Sequence, residues 1–162
     1  MKVAIITSSD SGYRGERVDE SGPAIREIVE KAGDTVVKCV LLPDEKTILS
    51  REMESISDAE EAELILTTGG TGFSVRDVMP EATKAVIERE VPGIPEAMRA
   101  YSMQFTKRAM LSRATCGIRK QTLILNLPGS PKAVRECLEY VYSELHHGVD
   151  ILTGEAGNCA RK

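Results

Sequence analysis

No stretch of this sequence approaches the roughly 20 consecutive apolar residues that a bilayer-spanning helix needs, so no membrane span is expected. Basic charge is not in excess either. The 21 Lys and Arg stand against 25 Asp and Glu, a net charge of −4, whereas a nucleic-acid footprint needs a basic face. Cysteines are few: Cys39, Cys116, Cys137 and Cys159 form no C-x-x-C pair and match no zinc-site spacing. They read as reduced, mostly buried thiols of a cytosolic protein. Repeats, low-complexity tracts and linkers are missing. The N-terminus runs directly into the strand-like Lys2-Val3-Ala4-Ile5-Ile6-Thr7, so no signal peptide and a cytoplasmic location are expected.

Several catalytic motifs are lacking too. Gly70-Thr71-Gly72 has Val75 where a dinucleotide fingerprint has its third glycine, and no Gly-Lys-Ser/Thr closes a Walker A loop. No G-x-S-x-G elbow occurs, nor any Cys-His or Ser-His arrangement, which points away from covalent catalysis. Positioning plus charge neutralisation, the usual demand of phosphoryl-type transfer, is the chemistry that remains.

What is present is the composition of one ordinary globular domain: 162 residues, 41% hydrophobic and 28% charged. Residues 1–153 are expected to form it, with 154–162 as a small, polar, flexible tail. Lys2–Thr7, Thr35–Leu42, Glu63–Thr68 and Thr122–Leu127 read as strands. The runs Ile65-Leu66 and Leu123-Ile124-Leu125 are continuous rather than alternating, which suits strands buried on both faces of a parallel sheet. Helical stripes lie between them. Ile25, Ile28, Val29 and Ala32 sit between Pro23 at a helix start and Gly33 at a stop; Ile48, Leu49, Met53 and Ile56 form a weaker stripe. Ala82, Ala85 and Val86 follow Pro80, and Ile94, Ala97, Met98, Tyr101 and Phe105 follow Pro92-Gly93. The clearest stripe is Val134, Cys137, Leu138, Val141 and Leu145, opened by Ser130 as N-cap and Pro131. Residues 110–120 read as irregular. The alternation predicts an α/β fold with a mainly parallel sheet and right-handed crossovers.

In such a sheet the strand C-termini share one edge, and ligands bind in the crevice outside them. The loops expected there are rich in hydroxyls, glycines and carboxylates: Ser8 to Gly15 running on to Asp19-Glu20-Ser21-Gly22, Pro43-Asp44-Glu45, Gly69 to Pro80, and Pro128-Gly129-Ser130-Pro131. The third is the most informative. An apolar strand flows into Gly69-Gly70-Thr71-Gly72, whose glycines permit close backbone approach to an anion, and a helix start at Pro80 aims its positive end at the same place. Asp77 is an oxygen donor of the kind Mg²⁺ prefers, though capping the next helix is an equal reading of it. Asp44 reads by default as an N-cap; its place on the same edge as Asp77 is what raises it. Arg14, Arg76 and Arg113 are anion-clamp candidates that solvation explains as well.

These segments also carry a resemblance. Thr7-Ser8-Ser9-Asp10 with Asp19-Glu20-Ser21-Gly22, Leu42-Pro43-Asp44-Glu45, Thr68-Gly69-Gly70-Thr71-Gly72 with Arg76-Asp77-Val78, Pro92-Gly93, Met110-Leu111-Ser112-Arg113, and Gly117-Ile118-Arg119 through Asn126-Leu127-Pro128-Gly129-Ser130-Pro131 occur in family order. Together they resemble the MogA/MoaB family of molybdenum-cofactor biosynthesis, which includes the G domain of gephyrin and its plant counterpart. Ile118-Arg119-Lys120-Gln121 with Asn126-Leu127-Pro128-Gly129 looks more like the MogA branch.

The resemblance implies a three-layer α/β/α domain, a homotrimer, Mg²⁺, and transfer of AMP from ATP to the terminal phosphate of molybdopterin with release of pyrophosphate. It implies catalytic, metal-holding roles for Asp44 and Asp77, and nucleotide contacts at Gly69, Gly70, Thr71, Gly72 and Arg76. Pterin or phosphate contacts fall to Thr7, Ser9, Ser112, Asn126, Gly129 and Ser130. A downstream molybdate-insertion protein is an implied partner. The alternatives are a non-catalytic MoaB-like pterin carrier, a gephyrin-like interaction scaffold, and a molybdate-inserting domain. One departure stands out: the family usually has Thr where this chain has Met79, so the helix loses a cap that Asp77 could supply instead.

His146-His147 point about 100° apart on a helix and do not converge on a metal; two imidazoles near a helix C-terminus are the simpler account. Met98, Met103, Phe105 and Met110 read as core or subunit contact.

Overall fold

The computed structural model describes residues 1–155. Its elements run β1 (Lys2–Ser8), α1 (Asp10–Tyr13), α2 (Ser21–Lys31), β2 (Thr35–Leu42), α3 (Lys46–Asp58), β3 (Leu64–Thr68), α4 (Met79–Lys84), β4 (Arg89–Glu90), α5 (Gly93–Ser102), a 3₁₀ turn (Lys107–Leu111), β5 (Cys116–Arg119), β6 (Thr122–Leu127) and α6 (Pro131–Thr153). One sheet has the order β2-β1-β3-β6-β5-β4. The first four strands in that order are parallel, and β5 and β4 pair antiparallel at the edge.

Why the central strands read as unbroken apolar runs is now plain: alternate residues serve two different cores. Val3, Ile5, Leu64, Leu66, Leu123 and Leu125 face the cluster built with α2, α5 and α6. Ala4, Ile6, Ile65 and Ile124 face the opposite cluster, built with Leu49, Met53 and Ile56 of α3 and Met79 and Ala82 of α4. Helices on both faces of a mostly parallel sheet give the three expected layers.

The boundaries hold small corrections. The helix expected at Pro23 begins two residues earlier, because Asp19 Oδ1 accepts from the backbone N–H groups of Ser21 and Gly22 at 2.9 and 3.1 Å. Residues 110–120 are not all irregular; they contain the end of the 3₁₀ turn and β5. α6 continues to Thr153, so His146 is not at its end, and its Nε2 instead meets the buried Asp34 carboxylate at 2.5 Å. Cys116 and Cys137 are buried, and burial pushes the Cys116 thiol up to about 12. Cys39 is exposed, contrary to expectation, because β2 is an outer strand of the sheet. Cys159 and most of the expected tail lie outside the described residues. Among the described residues no helix is long and apolar enough to cross a membrane.

Candidate active site

From β1 the chain crosses to β2 on one side of the sheet and then back to β3 on the other, which opens a crevice outside the ends of β1 and β3. The two ends touch. Gly69 has φ +91°, and a Cβ there would lie 2.2 Å from the Ser8 carbonyl oxygen, so both the backbone conformation and the close approach require glycine.

A cavity of about 400 Å³ occupies this crevice. Thr7, Ser8 and Ser9 from β1 and its loop, Asp19 and Ser21 from the start of α2, Asp44 after β2, Gly69, Gly70 and Asp77 after β3, and Gly129 and Ser130 after β6 all line it. Asp44 and Asp77, separated by a helix and a strand in sequence, therefore share one cavity. They flank the glycine turn: a Cβ on Gly70 would lie 3.5 Å from Asp44 Oδ1, and one on Gly72 would lie 2.8 Å from Asp77 Oδ2.

Neither carboxylate caps a helix. The N-cap positions of α3 and α4 are Glu45 and Val78, without side-chain capping bonds. Asp44 is held from the first loop: the Ser8 hydroxyl donates to Oδ1 at 2.5 Å and the Asp10 N–H to Oδ2 at 2.9 Å. Asp77 Oδ2 accepts the Ser74 N–H at 2.8 Å. Met79, where the family usually has Thr, is fully buried and serves the core beneath the loop.

The other expected residues divide. Thr7, Ser9, Gly69, Gly70, Gly129 and Ser130 reach the cavity. Thr7 Oγ1 donates to Asp19 Oδ2 at 2.7 Å, and Ser9 caps α1. Thr71, Gly72 and Ser112 line a second cavity instead, about 280 Å³, walled by Pro95, Met98, Leu111, Ala133 and Cys137. It adjoins the first across the glycine turn. Asn126 reaches neither cavity. It is fully buried, donating to Thr67 Oγ1 and Thr83 Oγ1 at 2.9 and 2.8 Å and accepting from the Thr115 N–H at 3.2 Å, so its polar groups are spent inside the core.

The arginines divide as well. Arg14 pairs with Glu16 at the surface. Arg76 does not line the cavity; it grips both oxygens of Asp10 at 2.9 and 3.1 Å and Glu45 at 2.8 Å. The Arg76 guanidinium holds the Asp10 carboxyl below the usual carboxylate range. Arg113 braces the glycine loop, donating to the carbonyls of Gly72 and Asp77 and pairing with Glu81.

Ser8, Arg17, Asp19 and Ser21, to which the sequence assigns no contact role, also line the cavity. The signal for Asp19 was there: an Asp two residues before Ser-Gly at a helix start is a capping pattern, and caps at that edge face the crevice.

Two carboxylates, several hydroxyls and a glycine turn make an all-oxygen setting suited to phosphates and a hard cation. Among the described residues no group of three or more His, Cys, Asp and Glu could hold a metal alone. Mg²⁺ is commonly held by one or two carboxylates with substrate phosphates completing its shell, and each carboxylate oxygen here keeps a free lone pair, so Asp44 and Asp77 fit that ion.

Comparison with known proteins identifies the family. A family model described as a probable molybdopterin binding domain matches residues 4–147. The chain is 37% identical over 154 residues to a molybdopterin adenylyltransferase of Helicobacter pylori, covering 94% of this chain and 88% of that protein. It is 43% identical over 159 residues to the Drosophila melanogaster molybdenum cofactor synthesis protein cinnamon; the match covers 98% of this chain but 26% of the fly protein's length. The crystal structure of the molybdopterin biosynthesis enzyme MoaB from Thermus thermophilus superposes with a TM-score of 0.89 at 46% identity, covering 94% of this chain and 96% of that one.

Proposed function

The chain belongs to the MogA/MoaB family of molybdenum-cofactor biosynthesis, and from that premise we propose that it is a molybdopterin adenylyltransferase. A terminal phosphate oxygen of molybdopterin attacks the α-phosphorus of ATP; the bond from that phosphorus to the β-phosphate bridging oxygen breaks, and pyrophosphate leaves. The observation that carries this reading is the meeting of Asp44, Asp77 and the Gly69–Gly70 turn in one cavity.

The chemical problem is to bring two polyanions together in line, and the residues answer it by position. Asp44 and Asp77 would hold Mg²⁺, which when bound neutralises phosphate oxygens and so favours attack at phosphorus. Gly69 and Gly70, with no side chain, let the triphosphate lie against the main chain. Thr7, Ser9, Gly129 and Ser130 face the same cavity and receive the terminal phosphate of the pterin. Ser130 stands at the N-terminus of the 23-residue α6, whose dipole favours an anion there. The neighbouring, more apolar cavity with Ser112 takes the pterin ring. Thr71 and Gly72, which the resemblance gives to the nucleotide, line this second cavity beside Ser112.

The remaining parts of the reading follow the family. Residues 1–153 act as one unit, in the cytoplasm, as a homotrimer that hands its product to a molybdate-insertion protein. Exposed apolar side chains in the segment after α5, on the 3₁₀ turn and on α6, among them Phe105, Met110, Leu111 and Tyr140, support an assembly.

A pyrophosphate-release assay with ATP, molybdopterin and Mg²⁺ tests the reading. Release that needs all three is expected. Molybdopterin binding without release would favour the alternative, a non-catalytic MoaB-like carrier.

A further inference from the structure

We propose that Asp10 is a positioning residue that fixes the spacing of Asp44 and Asp77, an inference that rests on the adenylyltransferase reading. Asp10 is not among the residues lining the cavity. It is nevertheless bonded to the segments that carry both carboxylates.

Toward Asp44 the bonding is reciprocal. The Asp10 N–H donates to Asp44 Oδ2 at 2.9 Å, and the Asp44 N–H donates to Asp10 Oδ1 at 3.0 Å. With Ser8 on Oδ1, both oxygens of Asp44 are aimed by the first loop. Toward the glycine loop, Asp10 takes a two-point grip from Arg76, the residue immediately before Asp77. One side chain thus spans from the loop after β1 to the loop after β3, while its own backbone is tied to the loop after β2. Two carboxylates that share an ion tolerate little error in separation, and partners that orient ligands commonly change metal affinity 10- to 100-fold when removed.

A further consequence concerns Arg76. Its guanidinium is engaged by Asp10 and by Glu45, so it acts here as a strap between loops. A strap and a direct phosphate clamp give opposite results when Asp10 loses its charge. Loss of a strap loosens the metal site, whereas release of a clamp strengthens ATP binding.

The test compares the full chain with Asp10→Asn, Arg76→Gln and the double variant. Asparagine keeps the backbone bond to Asp44 and loses the charge that holds Arg76. Two readouts are used: Mn²⁺ binding in the presence of ATP by electron paramagnetic resonance, and the Mg²⁺ concentration giving half-maximal pyrophosphate release. Asp10→Asn is expected to weaken Mn²⁺ binding and raise the Mg²⁺ requirement about tenfold, with the KM for molybdopterin unchanged. Arg76→Gln should do the same, and the double variant should be no worse than the worse single variant, because one interaction is removed twice. Wild-type metal binding in Asp10→Asn, multiplied effects in the double variant, or tighter ATP binding in Asp10→Asn would each overturn the proposal. Should Asp10→Asn fail to fold, Arg76→Gln decides alone by the same readouts, since Arg76 is exposed. If the wild-type protein neither binds Mn²⁺ with ATP nor releases pyrophosphate, the adenylyltransferase reading itself fails; a working wild type with an indifferent Asp10→Asn refutes the positioning role alone.

Discussion

The guanidinium of Arg113 donates to the main-chain carbonyl of Asp77 at 2.6 Å. It also donates to the Gly72 carbonyl at 2.7 Å, and the Arg113 N–H reaches the Thr71 carbonyl at 2.9 Å. One residue from a stretch that reads as irregular thereby pins the glycine loop at three carbonyls. A lysine lacks the planar fork needed to serve two acceptors and Glu81 together. Arg113→Lys is expected to lower turnover about 10- to 100-fold with the circular dichroism spectrum unchanged, since small misplacements at a site that works by orientation cost that much. Steady-state pyrophosphate release is the measurement.

Asp77→Asn retains an oxygen for the Ser74 N–H, so the loop should keep its shape. The charge is lost. Turnover is expected to fall by on the order of 100-fold or more. Near-wild-type turnover with an unchanged fold would remove Asp77 from the catalytic role.

Gly69→Ala should be felt in stability before activity. The alanine must adopt φ +91° and place its Cβ against the Ser8 carbonyl oxygen. A non-glycine residue held in the left-handed region costs about 1–3 kcal/mol, and the clash adds to it. Urea unfolding gives the number, and a loss under about 1 kcal/mol would contradict the close contact of β1 and β3.

Asn126→Ala separates a core role from a ligand role. The change leaves Thr67 Oγ1, Thr83 Oγ1 and the Thr115 N–H without their partner in a dry interior. A loss of about 1–3 kcal/mol is expected for leaving such groups unsatisfied. The KM for molybdopterin should not move in the folded fraction; a selective rise in KM would return Asn126 to the binding site.

Acid stability should report on Asp34. Burial pushes its carboxyl up, but bonds from the Met1 ammonium at 2.6 Å, the Tyr142 hydroxyl at 2.7 Å and His146 prevail and hold it below the ordinary 3.8. A depressed carboxylate contributes stability that is fully present above its unfolded value and is lost as pH falls through the folded one. Asp34→Asn is expected to cost about 3 kcal/mol at pH 7 by breaking a buried ionic cluster. The gap between variant and wild type should then shrink only below about pH 4, followed by urea unfolding at stepped pH.

The parallel strands were legible almost to the residue. Thr35–Leu42 and Thr122–Leu127 match their expected bounds: the second is buried at every position and reads as an apolar run broken only by Asn126, while the first, an outer strand with exposed and half-buried positions, is legible from its β-branched residues between Gly33 and Pro43. β4 and β5 were not legible. Two and four residues are too short for a period to show, and Gly117 interrupts the second; it is glycine because a Cβ there would strike Ile87 and the Arg89 carbonyl. At the site, Asp44, Asp77, Gly69 and Gly70 could be placed because topology alone sends those loops to one edge. Asn126 could not, since a polar residue flanked by Leu125 and Leu127 looks the same whether it faces a ligand or two buried threonines.

Amino-acid order alone determined the α/β alternation and the shared edge to which the loops carrying Asp44 and Asp77 run, because period, punctuation and strand direction are local properties of a chain; the roles of those two carboxylates came from the family resemblance. Only the tertiary structure decided how those carboxylates are aimed: Ser8 and Asp10 on Asp44, Ser74 on Asp77, and Arg76 and Arg113 bracing the loop from outside the cavity. Those partners lie as far as 66 residues apart. Their pairing is set by the packing of three strand ends against one another, which no pattern along the chain encodes.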